Sequence, residues 1–433
     1  MSGRRAFVLV VVLIAVATCT LLLLGLQAAS LRQAGEGREA VARLRARWAA
    51  RAGLESTIAR LGFAAQNTES SAPWSTLDDL ADVAYGDVDG ASWSIEHWNT
   101  AAGSMIASPE DAHAKININR MTQDDLLELP GATIDMADAI LDWIDPDDLP
   151  NQFGAEEAQY AQAASPYKPR NAPLRSLFEL DLVYGMDQEL VRGEDRNLNG
   201  RLDPNEDDGD ATWPPDNADG QLDAGWSAYV TAESVDLGLA ASGQPRLYLA
   251  DTSEEELSGR LPFLTSDQAE VILTHAQQDS ATLYDFATTT LRQMAQQSNI
   301  QAPTLRDLEE EQVIELLNET TMYDPAEGPV PGRININWVA DQTLDYLLSL
   351  DEEIRDTLLD ERDDRQGFSS IIEFLEVLSP QQFAQAVQFF DVNSTSYVVT
   401  SVGRDERSGI EVEITATIER SALPIVITEY HVR

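Results

Sequence analysis

Between Phe7 and Leu26 the chain runs for about twenty residues without a charge, directly after Arg4 and Arg5. A stretch that long and apolar crosses a bilayer as a helix, and a basic flank on its short side keeps that side in the cytoplasm. The segment therefore belongs to no soluble core, and the bulk of the chain folds on the far side of the membrane. Leu31 to Leu61 continues with Ala, Arg, Leu and Glu and no Pro, and Leu44, Trp48, Leu54, Ile58 and Leu61 fall near helical spacing. This predicts that the helix runs on as an amphipathic stalk. A cleaved secretory signal is the rival reading, with Gln27, Ala28, Ala29 and Ser30 as its small-residue site.

The remainder is long enough for two or three domains, each with its own core, in a chain of 433 residues. Net charge is -45, from 74 acidic and 29 basic residues, and nine of the basic ones precede residue 61. So acidic a body is repelled by nucleic acid phosphates and anionic lipid and attracts metal cations or basic partners. Cys19, inside the apolar run, is the only cysteine, so no intrachain disulfide forms. The four histidines, at 97, 113, 275 and 431, are too scattered for a zinc cluster.

One pattern occurs three times: KININRMTQDDLLELPGATIDMADAILDWID from Lys115, RLYLADTSEEELSGRLPFLTSDQAEVILTH from Arg246 and RININWVADQTLDYLLSLDEEIRDTLLDER from Arg333. With one residue inserted in the second copy, Leu126 aligns with Leu257 and Leu344, and Ile140 with Ile272 and Leu358. A shorter apolar helix follows each copy, in SLFELDLV, LYDFATTTL and SIIEFLEVL. Each unit reads as an extended stretch, a helix opened by polar and acidic residues, a tight turn and a second helix. Helices this short bury no apolar face alone, so the units are expected to pack into an all-helical subdomain. Leu129, Pro130, Gly131, Ala137 and Ile140 resemble the turn of a helix-hairpin-helix motif. Thr133 stands at the second turn glycine, however, and Asp135 and Asp138 at positions where basic side chains would hold phosphate. The turn is therefore expected to pack helices rather than bind DNA.

After the third unit the period changes from helical to alternating. Ser396 to Val402, Ile410 to Ile418 and Ile425 to Val432 read as a three-stranded antiparallel meander, broken first at Gly403, Arg404 and Asp405 and then at Ser421 and Pro424. Ser92 to Trp98 reads as a further strand of the same sheet, which makes the helical region an insertion. The alternative is that Ser92 to Trp98 belongs with the helices and the C-terminal strands form a small domain of their own.

The sharpest chemical signal is DRNLNGRLDPNE. Asp195, Asn197, Asn199, Asp203 and Glu206 occupy positions one, three, five, nine and twelve of a calcium loop, Gly200 supplies the sharp turn at six, and Arg201 offers its carbonyl at seven. Pro204 speaks against a full helix-loop-helix. The later run DNADGQLD places Asn217, Asp219 and Asp223 at three, five and nine, with Pro215 at one and Trp226 at twelve, so it is either a weaker site or a second strand of ligands for the first. Bound calcium would order segments too polar to fold by burial.

Arg4, Arg5, Ala6 and Phe7 before the apolar run resemble the leader of type IV pilins, which implies processing by a prepilin peptidase between Ala6 and Phe7. Val11 stands where most pilins carry Glu; the K-type minor pseudopilins of type II secretion lack that Glu. Lys115, Ile116, Asn117, Ile118 and Asn119, with the acidic run from Ala139 through Trp143 to Asp148, also look like the K family. That resemblance implies an α+β protein: an N-terminal transmembrane and stalk helix under a small antiparallel pilin-like sheet, interrupted by a large all-α insertion of helix-hairpin-helix-like units with structural calcium. The layout expected is a leader at 1–6, a membrane helix at 7–26, a stalk at 27–66, pilin-like parts at 67–121 and 391–433, and the insertion at 122–390. The family's role is structural, at the tip of a pseudopilus in the bacterial inner membrane, with the minor pseudopilins I and J as partners and the bulk of the chain in the periplasm. No residue presents itself as catalytic, so an enzyme is not expected. The other readings are a membrane-anchored, competence-type DNA receptor and a calcium-stabilised envelope scaffold.

Overall fold

The computed structural model describes residues 2–66, 76–162, 166–213, 215–236, 238, 240, 244–278, 280–324, 326, 328–420 and 424–433, with the side chains of residues 2–6, 8, 10, 65 and 66 outside that set. A single helix, α1, runs from Ser2 to Gln66. Among the described residues its apolar first half is unburied, and it is long and apolar enough to cross a membrane. The second half lies on a sheet of six strands: β1 (Tyr85–Val88), β2 (Ala91–Ile95), β3 (Glu110–Asp111), β4 (Ser396–Asp405), β5 (Glu411–Glu419) and β6 (Val426–Val432). All pairings are antiparallel, in the order β1-β2-β4-β5-β6, with β3 beside β4 beyond the end of β2.

The face that α1 buries is narrower than its large residues suggest. Leu54 and Leu61 are buried, but Leu44 and Trp48 are more than half exposed, and the contact is made instead by Ala42, Ala46, Ala49, Ala50 and Gly53. Small residues let helix and sheet backbones approach closely, and the sheet answers with a glycine of its own, Gly403. A Cβ on Gly53 would stand 2.4 Å from Ser401 Oγ, and one on Gly403 would stand 1.9 Å from the Ala46 carbonyl oxygen. Gly403 therefore sits inside β4, which continues to Asp405, and the chain turns at Glu406–Gly409 rather than at the Gly-Arg-Asp triplet. The core above this contact holds Leu54, Leu61, Leu77, Leu80, Ile95, Tyr397, Val399, Ile414 and Ile418. The expected strand over Ser92 to Trp98 is two strands: β2 in the sheet, and His97–Asn99, which pairs with Ser104–Ile106.

Between β3 and β4 the chain builds three units. Each closes on a parallel pair of two-residue strands: Ile116–Asn117 with Val230–Thr231, Leu247–Tyr248 with Thr320–Thr321, and Ile334–Asn335 with Phe390–Asp391. Strands this short leave no periodic trace in the sequence. Inside the first unit, helix Gln123–Glu128 opens on a capping box between Thr122 and Asp125 and is followed by Ile134–Ile144. The second repeats this with a box between Ser253 and Glu256 on helix Glu254–Arg260, then Ser266–Ala276. The third has Asp341–Leu344 and Glu352–Arg365. Leu126, Leu257 and Leu344 are all buried, as are Ile140, Ile272 and Leu358.

The Asn-x-Asn openings of the first and third units do the same work. Asn117 and Asn335 each accept from the amide two residues on. Asn119 and Asn337 each form a double hydrogen bond to a distant backbone, at Leu174 and Phe368. These two units share one core, whereas the second, which lacks the asparagines, has its own. Asp125, wholly buried, ties the first to the third by accepting from Ser349 N at 2.8 Å and Ser349 Oγ at 2.9 Å.

Candidate metal centre

The loop from Asp195 to Glu206 is folded around its own acceptors. Asp195 takes the amides of Asn199 (3.1 Å) and Gly200 (2.9 Å), and Asn197 and Asn199 each take the amide two residues on. Glu206 takes the amides of Arg196 and Asp203, both at 3.0 Å. Leu198 and Gly200 have positive φ, which curls the backbone so that positions one, three and five face inward. The Nδ2 atoms of Asn197 and Asn199 converge on Asp203 Oδ2, at 2.9 and 3.1 Å. Asp195, Asn199 and Glu206 are buried, while Asn197, Arg201 and Asp203 are half-buried. Burial pushes Asp195 up to about 7, and burial with the neighbouring Asp195 and Asp203 charges does the same for Glu206.

The later run adopts the same backbone. Ala218 and Gly220 have positive φ at the positions of Leu198 and Gly200, and Asn217, Asp219 and Asp223 each accept from the amide two residues on. Its missing first and twelfth residues are supplied from outside it. Gly220 N donates to Asp207 Oδ1 (3.0 Å), as Gly200 N does to Asp195. Glu194 takes the amides of Asn217 (3.3 Å) and Asp223 (3.2 Å), as Glu206 does in the first loop. Glu194 and Asp207 flank the first loop by one residue on either side, so the two loops interlock. Sequence reading missed both because it sought all donors inside each run; the twenty-residue offset between the runs was the available signal. Asn217, Asp219 and Asp223 themselves are exposed.

The donor set is all hard oxygen, which suits calcium and not a soft or nitrogen-seeking metal. The buried, mutually repelling carboxylates of the first loop also lack a basic partner in their hydrogen bonds, and a bound cation would relieve that repulsion. No three Asp, Glu, His or Cys side chains converge as a metal cluster among the described residues, so asparagine and carbonyl oxygens would have to complete either sphere. In the first loop Asp195, Asn197, Asn199, Asp203, Glu206 and the Arg201 carbonyl would hold the ion; in the second, Asn217, Asp219 and Asp223 would, with Glu194 and Asp207.

The first loop is bolted to the sheet domain. Trp98 N donates to Gly200 O (2.6 Å), Thr400 Oγ1 to Asn199 O (3.0 Å), Arg433 Nη2 to Asn197 O (3.0 Å) and Asn199 Nδ2 to Glu413 Oε2 (2.9 Å). A cavity of about 340 Å³ lies between loop and sheet, bordered by Asp195, His97, Glu110 and Lys115. Burial alone would raise Glu110, but its ion pair with Lys115 wins and holds it below the usual range.

Other expected positions are less gathered. Phe7 is exposed on α1, and the side chain of Ala6 lies outside the described residues. The hairpin turn at Gly131 is covered: a Cβ there would meet Leu190 Cδ2 at 2.8 Å, and Trp226 Nε1 donates to Pro130 O at 2.8 Å.

Residues 107–193, about a fifth of the chain, match the family described as Type II secretion system (T2SS), protein K. A protein of Pectobacterium carotovorum subsp. carotovorum named Type II secretion system protein K is 43% identical over 54 residues, a stretch spanning 12% of this chain and 16% of the relative's length. A chain in the crystal structure of the GspK-GspI-GspJ complex from the type 2 secretion system of enterotoxigenic Escherichia coli aligns with a TM-score of 0.45 and 13% identity, over 92% of this chain and 99% of that one. The family match falls on the first helical unit and the strand that leads into it.

Proposed function

We propose that the chain is a membrane-anchored minor pseudopilin of the K type, with a structural and not an enzymatic role. The observation that carries this is architectural. A single apolar helix continues into a helix packed under an antiparallel sheet, and a large helical region is spliced between β3 and β4 of that sheet. Cleavage by a prepilin peptidase between Ala6 and Phe7 would leave the apolar helix at the mature N-terminus, in the inner membrane, with the remainder in the periplasm. A head this large would obstruct a subunit added above it, which suits the tip of the pseudopilus, where the chain would help to initiate assembly and so support export across the outer membrane. Val11 fits a first subunit, since no preceding N-terminal amine needs a Glu to pair with it.

Calcium in the two interlocked loops serves this role structurally. The first of those loops joins the helical region to β4, β5 and the C-terminus, so metal there would fix the head on the stalk. The partners are the minor pseudopilins I and J. Coexpression in a bacterial membrane, detergent extraction and affinity purification on this chain tests the reading. Recovery of I and J in equal amount supports it; their absence with the chain intact and folded refutes it.

A further inference from the structure

Glu156 is 4% exposed, and among the described residues neither of its carboxylate oxygens meets a donor. Asp142, wholly buried on helix Ile134–Ile144, accepts at Oδ1 from Asn151 N (2.9 Å) and Asn151 Nδ2 (2.6 Å), yet its Oδ2 is also without a partner. Leaving buried carboxylate oxygens unsatisfied is costly, and ionised carboxyls accept only, so they cannot serve each other. The basic residues that follow are already paired, Lys168 with Glu157 and Arg170 with Glu179. Burial and the surrounding Asp142, Asp145, Asp148 and Asp147 charges push Glu156 up to about 7.

The backbone around these oxygens is drawn tight. A Cβ on Gly154 would stand 1.9 Å from Asp142 Oδ2 and 3.0 Å from the Asp138 carbonyl oxygen, so only glycine lets the loop close over the acid. Phe153 N donates to Asp138 Oδ2 (2.9 Å), Leu149 N to Asp147 Oδ1 (2.7 Å), and Asn171 Nδ2 to Asp147 O (2.6 Å). Loop 145–156 is thus held at both ends around a pocket of negative charge that no cationic side chain enters among the described residues.

We propose that this loop binds a divalent cation of the calcium class between the carboxylates of Asp142 and Glu156, with backbone carbonyls and water completing the sphere. Calcium takes oxygen ligands at about 2.3–2.6 Å and tolerates irregular geometry, whereas nearby histidine or cysteine, which zinc would need, is absent from the segment 138–157. The site is distinct from the loops at 195–206 and 215–226 and does not depend on their binding metal or on the pseudopilin reading.

The test is calorimetric titration of calcium into the full chain in detergent after chelation, for wild type, Glu156→Gln, Asp142→Asn and an Asp195→Asn/Glu206→Gln double variant. The site predicts that Glu156→Gln and Asp142→Asn each bind one calcium fewer than wild type. It also predicts that in chelator Glu156→Gln melts no lower than wild type, because the amide removes the repulsion. Unchanged stoichiometry in both single variants overturns the proposal, whatever the double variant does; loss in the double variant alone assigns calcium to the loops only. Hydrogen exchange on wild type removes dependence on variant folding. Amides 145–156 slow on calcium addition if the site exists, and unchanged exchange there refutes it.

Discussion

Gly403 in β4 passes so close to Ala46 of α1 that a methyl group on it would overlap the Ala46 carbonyl, 1.9 Å away. Both neighbours at that point are backbone, which cannot swing aside as a flexible side chain would. Gly403→Ala is expected to destabilise the sheet domain by on the order of 3 kcal/mol through forced separation of helix and sheet. Thermal melting of the purified chain checks this, with Gly409→Ala, outside the packed interface, as the comparison for a positive-φ turn glycine.

The metal loops make stability depend on pH in a definite direction. Asp195 and Glu206 have folded pKa values raised to about 7, above the ordinary carboxyl range near 4. A raised acid binds its proton more tightly when folded, so its contribution is fully present below the unfolded pKa and is lost as pH rises through about 7. In chelator the melting temperature is expected to fall between pH 5 and pH 8, and Asp195→Asn or Glu206→Gln to flatten that slope. Calcium is expected to raise the melting temperature most at pH 8, where both carboxyls are ionised, and Glu194→Gln to reduce the gain. A chelated protein with a level melting temperature across this range would contradict the account of the buried carboxyls.

Leu44 and Trp48 lie one turn apart on the face of α1 turned away from the sheet, and both are more than half exposed. Large apolar side chains left on a stalk helix suit burial against a neighbouring helix in an assembly. Trp48→Ala is expected to leave the melting temperature within a degree or so while lowering recovery of partner pseudopilins in pull-down by several fold.

Much of this arrangement was legible in the sequence, because long-period signals survive in a single chain. The apolar run foretold α1, and the three aligned Leu and Ile positions foretold three buried sets of contacts. Alternation marked β4, β5 and β6 to within a few residues. What escaped depends on contacts between distant segments. Leu44 and Trp48 fell with Leu54, Ile58 and Leu61 near the helical spacing of an amphipathic stalk, whereas this interface selects alanine and glycine to bring backbones together. Gly403 read as a turn for the same reason: its lack of a side chain is used for close approach and not for bending. The two-residue strand pairs carry no period, and Glu194 and Asp207 complete a loop to which they do not belong in sequence. Glu156 looked like one acid among many until its burial was known.

Of all measurements, the intact mass of the chain coexpressed with a prepilin peptidase bears most directly on the pseudopilin reading. The account predicts a mature protein beginning at Phe7. A chain left unprocessed, or one beginning near Ser30, would contradict it.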